Sequence, residues 1–249
     1  MTRRARRVLW AFGAGVTCHA AFVAGVAAMA VGLFTGMRSG LGRLHGLGTL
    51  VADGALIAQF PLLHSWLLGS AGRARLAALL PDEFGADLVP TVFATVSSLQ
   101  MLAAFELWSP SGVVLWRVTG SAFWIACGVF AAGWLLLARS MVDAGLGLQS
   151  GAAGWLAVLR GRRVAYPAMP TRGTFRHVRQ PMYLAYAVLL WAGPVLTLDK
   201  LALACAWTAY CVLGPLHKEA RSRRRWGARW EAYRRAVPYM LPRLRPRRT

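Results

Sequence analysis

The sequence is poor in the residues that build metal centres and disulfide frameworks. Its four cysteines, Cys18, Cys127, Cys205 and Cys211, all fall in apolar stretches, and none stands in a CxxC or Cys/His spacing. The five histidines, His19, His45, His64, His177 and His217, are equally scattered. This pattern excludes a metal-held or disulfide-held fold and reads as buried structural thiols. Acidic residues are scarce as well: nine Asp and Glu stand against 29 Lys and Arg, a net charge of +20. Such an excess suits a polyanion, because basic proteins gain affinity by displacing counterions from phosphates. The distribution of charge argues against a specific nucleic-acid partner. Arginines crowd the N-terminus, one internal loop and the C-terminal tail, and uncharged runs long enough to cross about 30 Å of hydrocarbon lie between them. Anionic membrane lipid is the partner this arrangement fits.

Hydrophobic residues make up 57% of the 249 positions, in long runs of Ala, Leu, Val, Trp and Gly rather than in alternating strand patterns. The expected fold is an all-α integral membrane protein of about six transmembrane helices plus a C-terminal amphipathic helix, forming a single membrane domain over 1–249. The apolar segments are 8–34, 47–69, 88–107, 113–138, 181–198 and 201–216, the last two joined in a tight helical hairpin at Asp199-Lys200. The first resembles a signal peptide in its basic start and its Ala28-Met29-Ala30, but its apolar run is longer than the usual 7–15 residues, so an uncleaved helix is expected. The N-tail, the loop near 70–87, the loop 139–180 and the C-tail carry 25 of the 29 basic residues. Both termini should therefore be cytoplasmic, in a bacterial inner membrane. Within the loop 139–180, Trp155 to Leu159 followed by Arg160-Gly161-Arg162-Arg163 suggests an interfacial helix. Residues 217–236 predict another helix, with Trp226, Trp230, Tyr233 and Val237 on one face and Arg221, Arg223, Arg224, Arg225 and Arg229 as a cationic surface.

If the last two membrane helices are antiparallel about Asp199-Lys200, positions equally far from the turn share a depth. Arg179 then meets Glu219, and Tyr183 lies near Pro215. Pro181 suits the first turn of the fifth helix, whose free N–H groups favour an anion. Glu219 can pair with a cation, and Tyr183 can donate a hydrogen bond or stack. Two readings stay open from spacing alone: a site for a zwitterionic ligand, or an Arg–Glu pair that neutralises itself. Asp53, His64, Glu106 and His19 are ionisable groups near membrane depth, to be read either as functional groups or as inter-helical hydrogen-bond partners. Gly32-x-x-x-Gly36 allows close helix approach.

The run Arg176-His177-Val178-Arg179-Gln180-Pro181-Met182-Tyr183-Leu184-Ala185, followed by Glu219, Trp226-Gly227 and Tyr233 through Val237-Pro238, resembles the isoprenylcysteine carboxyl methyltransferase superfamily. That pattern reads Arg-His-Pro-x-Tyr-x-Gly, then Glu-Glu, then an aromatic-Gly before Tyr-x-x-x-Val-Pro. Trp191 to Thr197, Thr208-Ala209-Tyr210, Gln59 to Ser65 and Gly145 to Gln149 are most similar to the methanethiol S-methyltransferase branch. The resemblance implies an S-adenosylmethionine-dependent methyltransferase whose cofactor lies in a region spanning 173–242, against Gln180, Pro181, Tyr183, Glu219, Tyr233 and Pro238. It implies a small or apolar thiol as acceptor, with Arg176 or Arg179 favouring the thiolate. An isoprenoid carboxylate or a lipid amine are the other acceptors the scaffold allows, and a non-catalytic protein retaining the scaffold is the alternative. Three positions depart from the pattern: Gln180 replaces histidine, Ala185 glycine, and Lys218 the first glutamate of the pair. Glutamine keeps donor and acceptor capacity but carries no exchangeable charge, and Lys218 reverses the charge beside Glu219.

Overall fold

The computed structural model describes residues 2–242; the arginines of the expected cationic tail beyond 242 lie outside the described residues. In chain order the elements are α1 (Arg3–Thr35), α2 (Leu47–Leu67), α3 (Ser70–Ala78), α4 (Gly85–Glu106), β1 (Val114–Arg117), α5 (Gly120–Asp143), α6 (Leu146–Gln149), α7 (Ala152–Leu159), a 3-10 turn (Gly173–Arg176), α8 (Pro181–Trp191), β2 (Val195–Thr197) and α9 (Leu198–Ala236). The protein is an all-α integral membrane protein. Among the described residues four helices, α1, α2, α4 and α5, are long and apolar enough to span a bilayer. The chain forms two compact units, 1–113 with 145–166 and 114–144 with 167–249.

In the first unit α1 packs along α4, and α7 packs on both. The approach depends on small residues. A Cβ at Gly25 would stand 2.6 Å from the Ser98 carbonyl oxygen, and one at Gly32 would meet the Phe105 ring. Gly36 has a different task from the one its spacing suggests: at φ 72° it is the left-handed C-cap of α1. The expected helix over Trp155 to Leu159 is α7, and it packs on α1 and α4. Trp155 lies against Gly15 and its indole N–H donates to His19 Nε2 at 3.1 Å. His64 Nδ1 pairs with Ser97 Oγ at 3.0 Å and its ring stacks on Phe60, while Asp53 accepts the Ser109 amide at 3.2 Å. These groups join helices of this unit.

In the second unit α8 packs between α5 and α9. Gly133 of α5 admits Leu189 of α8, a contact that a Cβ would close to 2.9 Å. Three expectations are corrected here. The fourth segment does not begin as helix at 113: Val114–Arg117 is a strand paired antiparallel with Val195–Thr197. The fifth helix is 11 residues long and ends at Trp191 rather than near 198. The expected hairpin turn at Asp199-Lys200 is absent, because Thr197 caps α9 by accepting the Lys200 amide at 3.1 Å and both residues are buried in the first turn of α9. Lys200 Nζ donates to the Ala192 carbonyl, so the cation completes the end of α8. The sixth segment and the tail helix are also continuous, since no helix-breaking geometry intervenes until Gly227, where φ 49° and ψ −124° kink α9.

Candidate functional site

Two antiparallel helices create the site. Trp191 of α8 donates to Thr208 of α9 at 2.9 Å, and one helix length away Gln180 and Arg179 meet Lys218 and Glu219. The pairing follows from the equal rise of both helices, even though the turn joining them is not the one expected. Arg179 Nε and Nη2 fork onto the two Glu219 oxygens at 2.9 and 3.3 Å, both side chains being about one-tenth exposed. Arg179 Nη1 donates to the carbonyls of Arg234 and Val237 at 3.1 and 2.6 Å. The backbone repeats the link: the Arg179 and Gln180 amides donate to the Pro238 and Tyr239 carbonyls at 2.9 and 3.1 Å. The segment after α9 is thus fastened across the start of α8.

Gln180, 1% exposed, lies between two opposite charges. Its Nε2 donates to Glu219 Oε1 at 3.0 Å and its Oε1 accepts from Lys218 Nζ at 3.2 Å. The Lys218 ammonium also lies 5.7 Å from the Phe175 ring centroid and 5.8 Å from that of Tyr183. Burial pushes its pKa down to about 8, opposed by the Glu219 carboxylate and aided by Arg221. The cluster therefore holds a cation between two ring faces and an amide oxygen, beside a carboxylate. Glu219 accepts three hydrogen bonds from Arg179 and Gln180, which leaves room on a carboxylate for a further donor.

The remaining expected residues fall into three places. Pro181 is the buried first residue of α8, and Tyr183 lines the cation cluster with Tyr210 edge-on at 6.4 Å. Tyr233 and Pro238 act from the tail: the Tyr233 hydroxyl donates to the Phe175 carbonyl at 2.7 Å, and Pro238 contributes its carbonyl. Burial raises the Tyr233 pKa, so it stays a donor. Met169, Trp230, Tyr233 and Val237 form the apolar core beneath, with Trp226 packed on it. Arg176 is exposed and makes no ion pair with a described residue. Two participants were not singled out in the sequence. Phe175 carries no signal beyond lying on the turn before Arg179. Tyr239, whose ring sits 5.5 Å under the Arg179 guanidinium and whose hydroxyl donates to Val212, follows Pro238 directly, which was its only mark. Burial and the Glu219 carboxylate push the Tyr239 hydroxyl up to about 12.

The groups so placed fit a ligand that carries a positive charge and at least one further hydrogen-bond donor. No family model and no solved structure matches the chain. Among curated proteins it is 30% identical to methanethiol S-methyltransferase 2 of Bradyrhizobium diazoefficiens, over 78% of this chain and 73% of that one. It is 29% identical to a methanethiol S-methyltransferase of Pseudomonas deceptionensis, over 86% of this chain and 80% of the relative. A Nurim homolog of Drosophila pseudoobscura pseudoobscura is 27% identical over 66% of each chain.

Proposed function

The chain belongs to the methanethiol S-methyltransferase family, within the isoprenylcysteine carboxyl methyltransferase superfamily, and on that premise we propose that it is a membrane-embedded, S-adenosylmethionine-dependent methyltransferase of a small or apolar thiol. The observation that carries the reading is the cation cluster: Phe175, Tyr183 and Gln180 Oε1 around one positive charge, with the Glu219 carboxylate adjoining. Ring faces and an amide oxygen suit a sulfonium, and a carboxylate suits an ammonium. S-Adenosylmethionine, when bound, supplies a methyl group activated by its sulfonium charge.

Gln180, Tyr183 and Glu219 are the residues that would touch it, within the region 173–242. Pro181, Tyr233 and Pro238 position them, by starting α8, by tying the tail to Phe175 and by accepting the Arg179 amide. The acceptor thiol must lose a proton, since the thiolate is the nucleophile. Arg176 and Arg179 were the expected groups, but Arg179 is occupied with Glu219 and the tail, and Arg176 is exposed. Lys218 is a further candidate: burial lowers its pKa to about 8, and its neutral form, displaced from the ring-lined place the sulfonium would take, can accept that proton. A site at the end of two membrane helices admits an apolar acceptor from the bilayer and a charged cofactor from water. Both termini are assigned to the cytoplasm of a bacterial inner membrane, with the exposed Arg224, Arg225 and Arg229 facing anionic lipid.

One observation favours a second reading. The Lys218 ammonium occupies the cluster a ligand cation would use, as expected of a non-catalytic protein that keeps the scaffold. Calorimetry of the purified protein with S-adenosylmethionine and its demethylated product, followed by transfer of labelled methyl to methanethiol, separates the two. Binding with transfer supports the enzyme. No binding by the wild type, with binding restored in Gln180→His/Lys218→Glu, supports the retained scaffold.

A further inference from the structure

The first unit contains a second charged site, independent of the methyltransferase reading. A cavity of about 590 Å³ lies between the start of α1, the turn before α4 and the segment after α7. Arg3, Arg4, Arg7, Arg162 and Arg163 line it, together with only two acids, Glu83 and Asp87. Both acids are already matched. Glu83 pairs with Arg6 at 3.0 Å, and Asp87 accepts from Arg163 at 3.2 Å and from the Val164 amide at 2.9 Å. Among the described residues, Arg3, Arg4, Arg7 and Arg162 have no acidic partner. Arg7 Nε is buried without a hydrogen-bond partner, and the Arg7 guanidinium is seated on Gly161, whose φ of 64° and missing Cβ make room for it. Three of these cations also stand in the first turns of α1, where the helix dipole is positive and an anion, not a cation, is stabilised. Four guanidiniums without an acidic partner around one cavity, three of them in the first turns of α1, call for a ligand with several acceptor oxygens.

The depth of the cavity narrows the ligand. Its wall includes Phe84 and Val158, which continue into an apolar core with Ala11 and Leu88. Directly after Arg7, α1 presents exposed Val8, Leu9 and Phe12, in a helix long and apolar enough to cross a membrane. The cavity therefore joins exposed arginines to the buried apolar side chains of Phe84 and Val158. We propose that this cavity is a binding site for a phosphate-bearing anion, filled in the bilayer by the headgroup of an anionic phospholipid and held chiefly by Arg7 and Arg162.

The test is calorimetric titration of the full chain in non-ionic detergent with dihexanoyl phosphatidylglycerol, dihexanoyl phosphatidylcholine and inorganic phosphate. Saturable binding of phosphatidylglycerol is expected, weakened about tenfold by Arg7→Gln and by Arg162→Gln, as for loss of a charge-assisted hydrogen bond. Arg38→Gln, on the exposed turn after α1, should leave it unchanged. Inorganic phosphate binding as tightly, with the same dependence on Arg7 and Arg162, would support the site and assign it to a water-borne phosphate. Equal binding of phosphatidylcholine, or an equal loss in Arg38→Gln, overturns the proposal. Arg162 lies on a loop, so its variant decides the matter if Arg7→Gln does not fold.

Discussion

Arg179 makes four side-chain hydrogen bonds, two to Glu219 and two to carbonyls of the tail, in a setting almost closed to water. Removing one member of such a pair leaves the other buried and unmatched. Arg179→Ala should therefore lower stability by about 3–5 kcal/mol, read as a thermal shift in detergent. Glu219→Ala would confound folding with ligand binding for the same reason. Glu219→Gln is the milder change, since it keeps one of the two oxygens that Arg179 and Gln180 use while removing the charge, and its melting temperature reports the part of the loss that belongs to the pair. S-Adenosylmethionine affinity should fall by about 1.5–3 kcal/mol, and unchanged affinity in a folded variant would exclude Glu219 from the site. Lys218 gives a prediction in pH. Burial holds its folded pKa near 8, below the ordinary lysine value of 10.5, so the unfolded chain binds more protons between those values and stability should rise with pH across that window. Lys218→Met should flatten the rise. A slope equal in both proteins would place its source elsewhere among the titrating groups.

At the scale of elements, α1 and α4 offer a paired experiment on glycine. Gly25→Ala places a methyl 2.6 Å from the Ser98 carbonyl oxygen and should cost about 1–3 kcal/mol, because two backbones must separate. Gly13→Ala on the same helix meets nothing within 4 Å and should be neutral or stabilising by up to about 1 kcal/mol. Equal melting shifts for the two variants would show that close approach is not what holds the pair. The same elements show what sequence reading reaches. Long apolar runs between arginines marked α1, α2 and α4 to within a few residues, because each carries its own signal of length and hydropathy. The α8–β2 region was read as helix through 198, because an extended segment in an apolar run has no local signature. Its polar backbone is satisfied from afar: β1 pairs with β2, Val118 donates to Pro194 at 3.0 Å, and Lys200 reaches the Ala192 carbonyl. After the 11-residue α8 the chain bends at 193–194 and only Val195–Thr197 extend as strand. The meeting of 179–180 with 218–219 was legible despite this, since it depends only on antiparallel helices of equal rise. The carbonyl contacts of the tail were not, because backbone acceptors leave no trace in residue identity.

For the molecule as a whole, the clearest expectation concerns orientation. With 25 of 29 basic residues on one side of the six-segment assignment, reporters fused to either terminus should both read as cytoplasmic. An N-terminal reporter on the far side would mean that α1 is cleaved or does not cross. The order in which the chain is made gives the site a further property. Gln180 and Arg179 are synthesised well before their partners, and the carbonyls of Arg234, Val237, Pro238 and Tyr239 come from the last stretch described. While the ribosome still holds that stretch, the Arg179 guanidinium lacks half of its acceptors and the floor built by Trp230, Tyr233 and Val237 is missing. The cation cluster is thus complete only once residues 234–239 are in place. A chain cut after 230 should therefore fail to bind S-adenosylmethionine even where α8 and the start of α9 still pair, because every backbone acceptor that fastens Arg179 and Gln180 has gone with the tail.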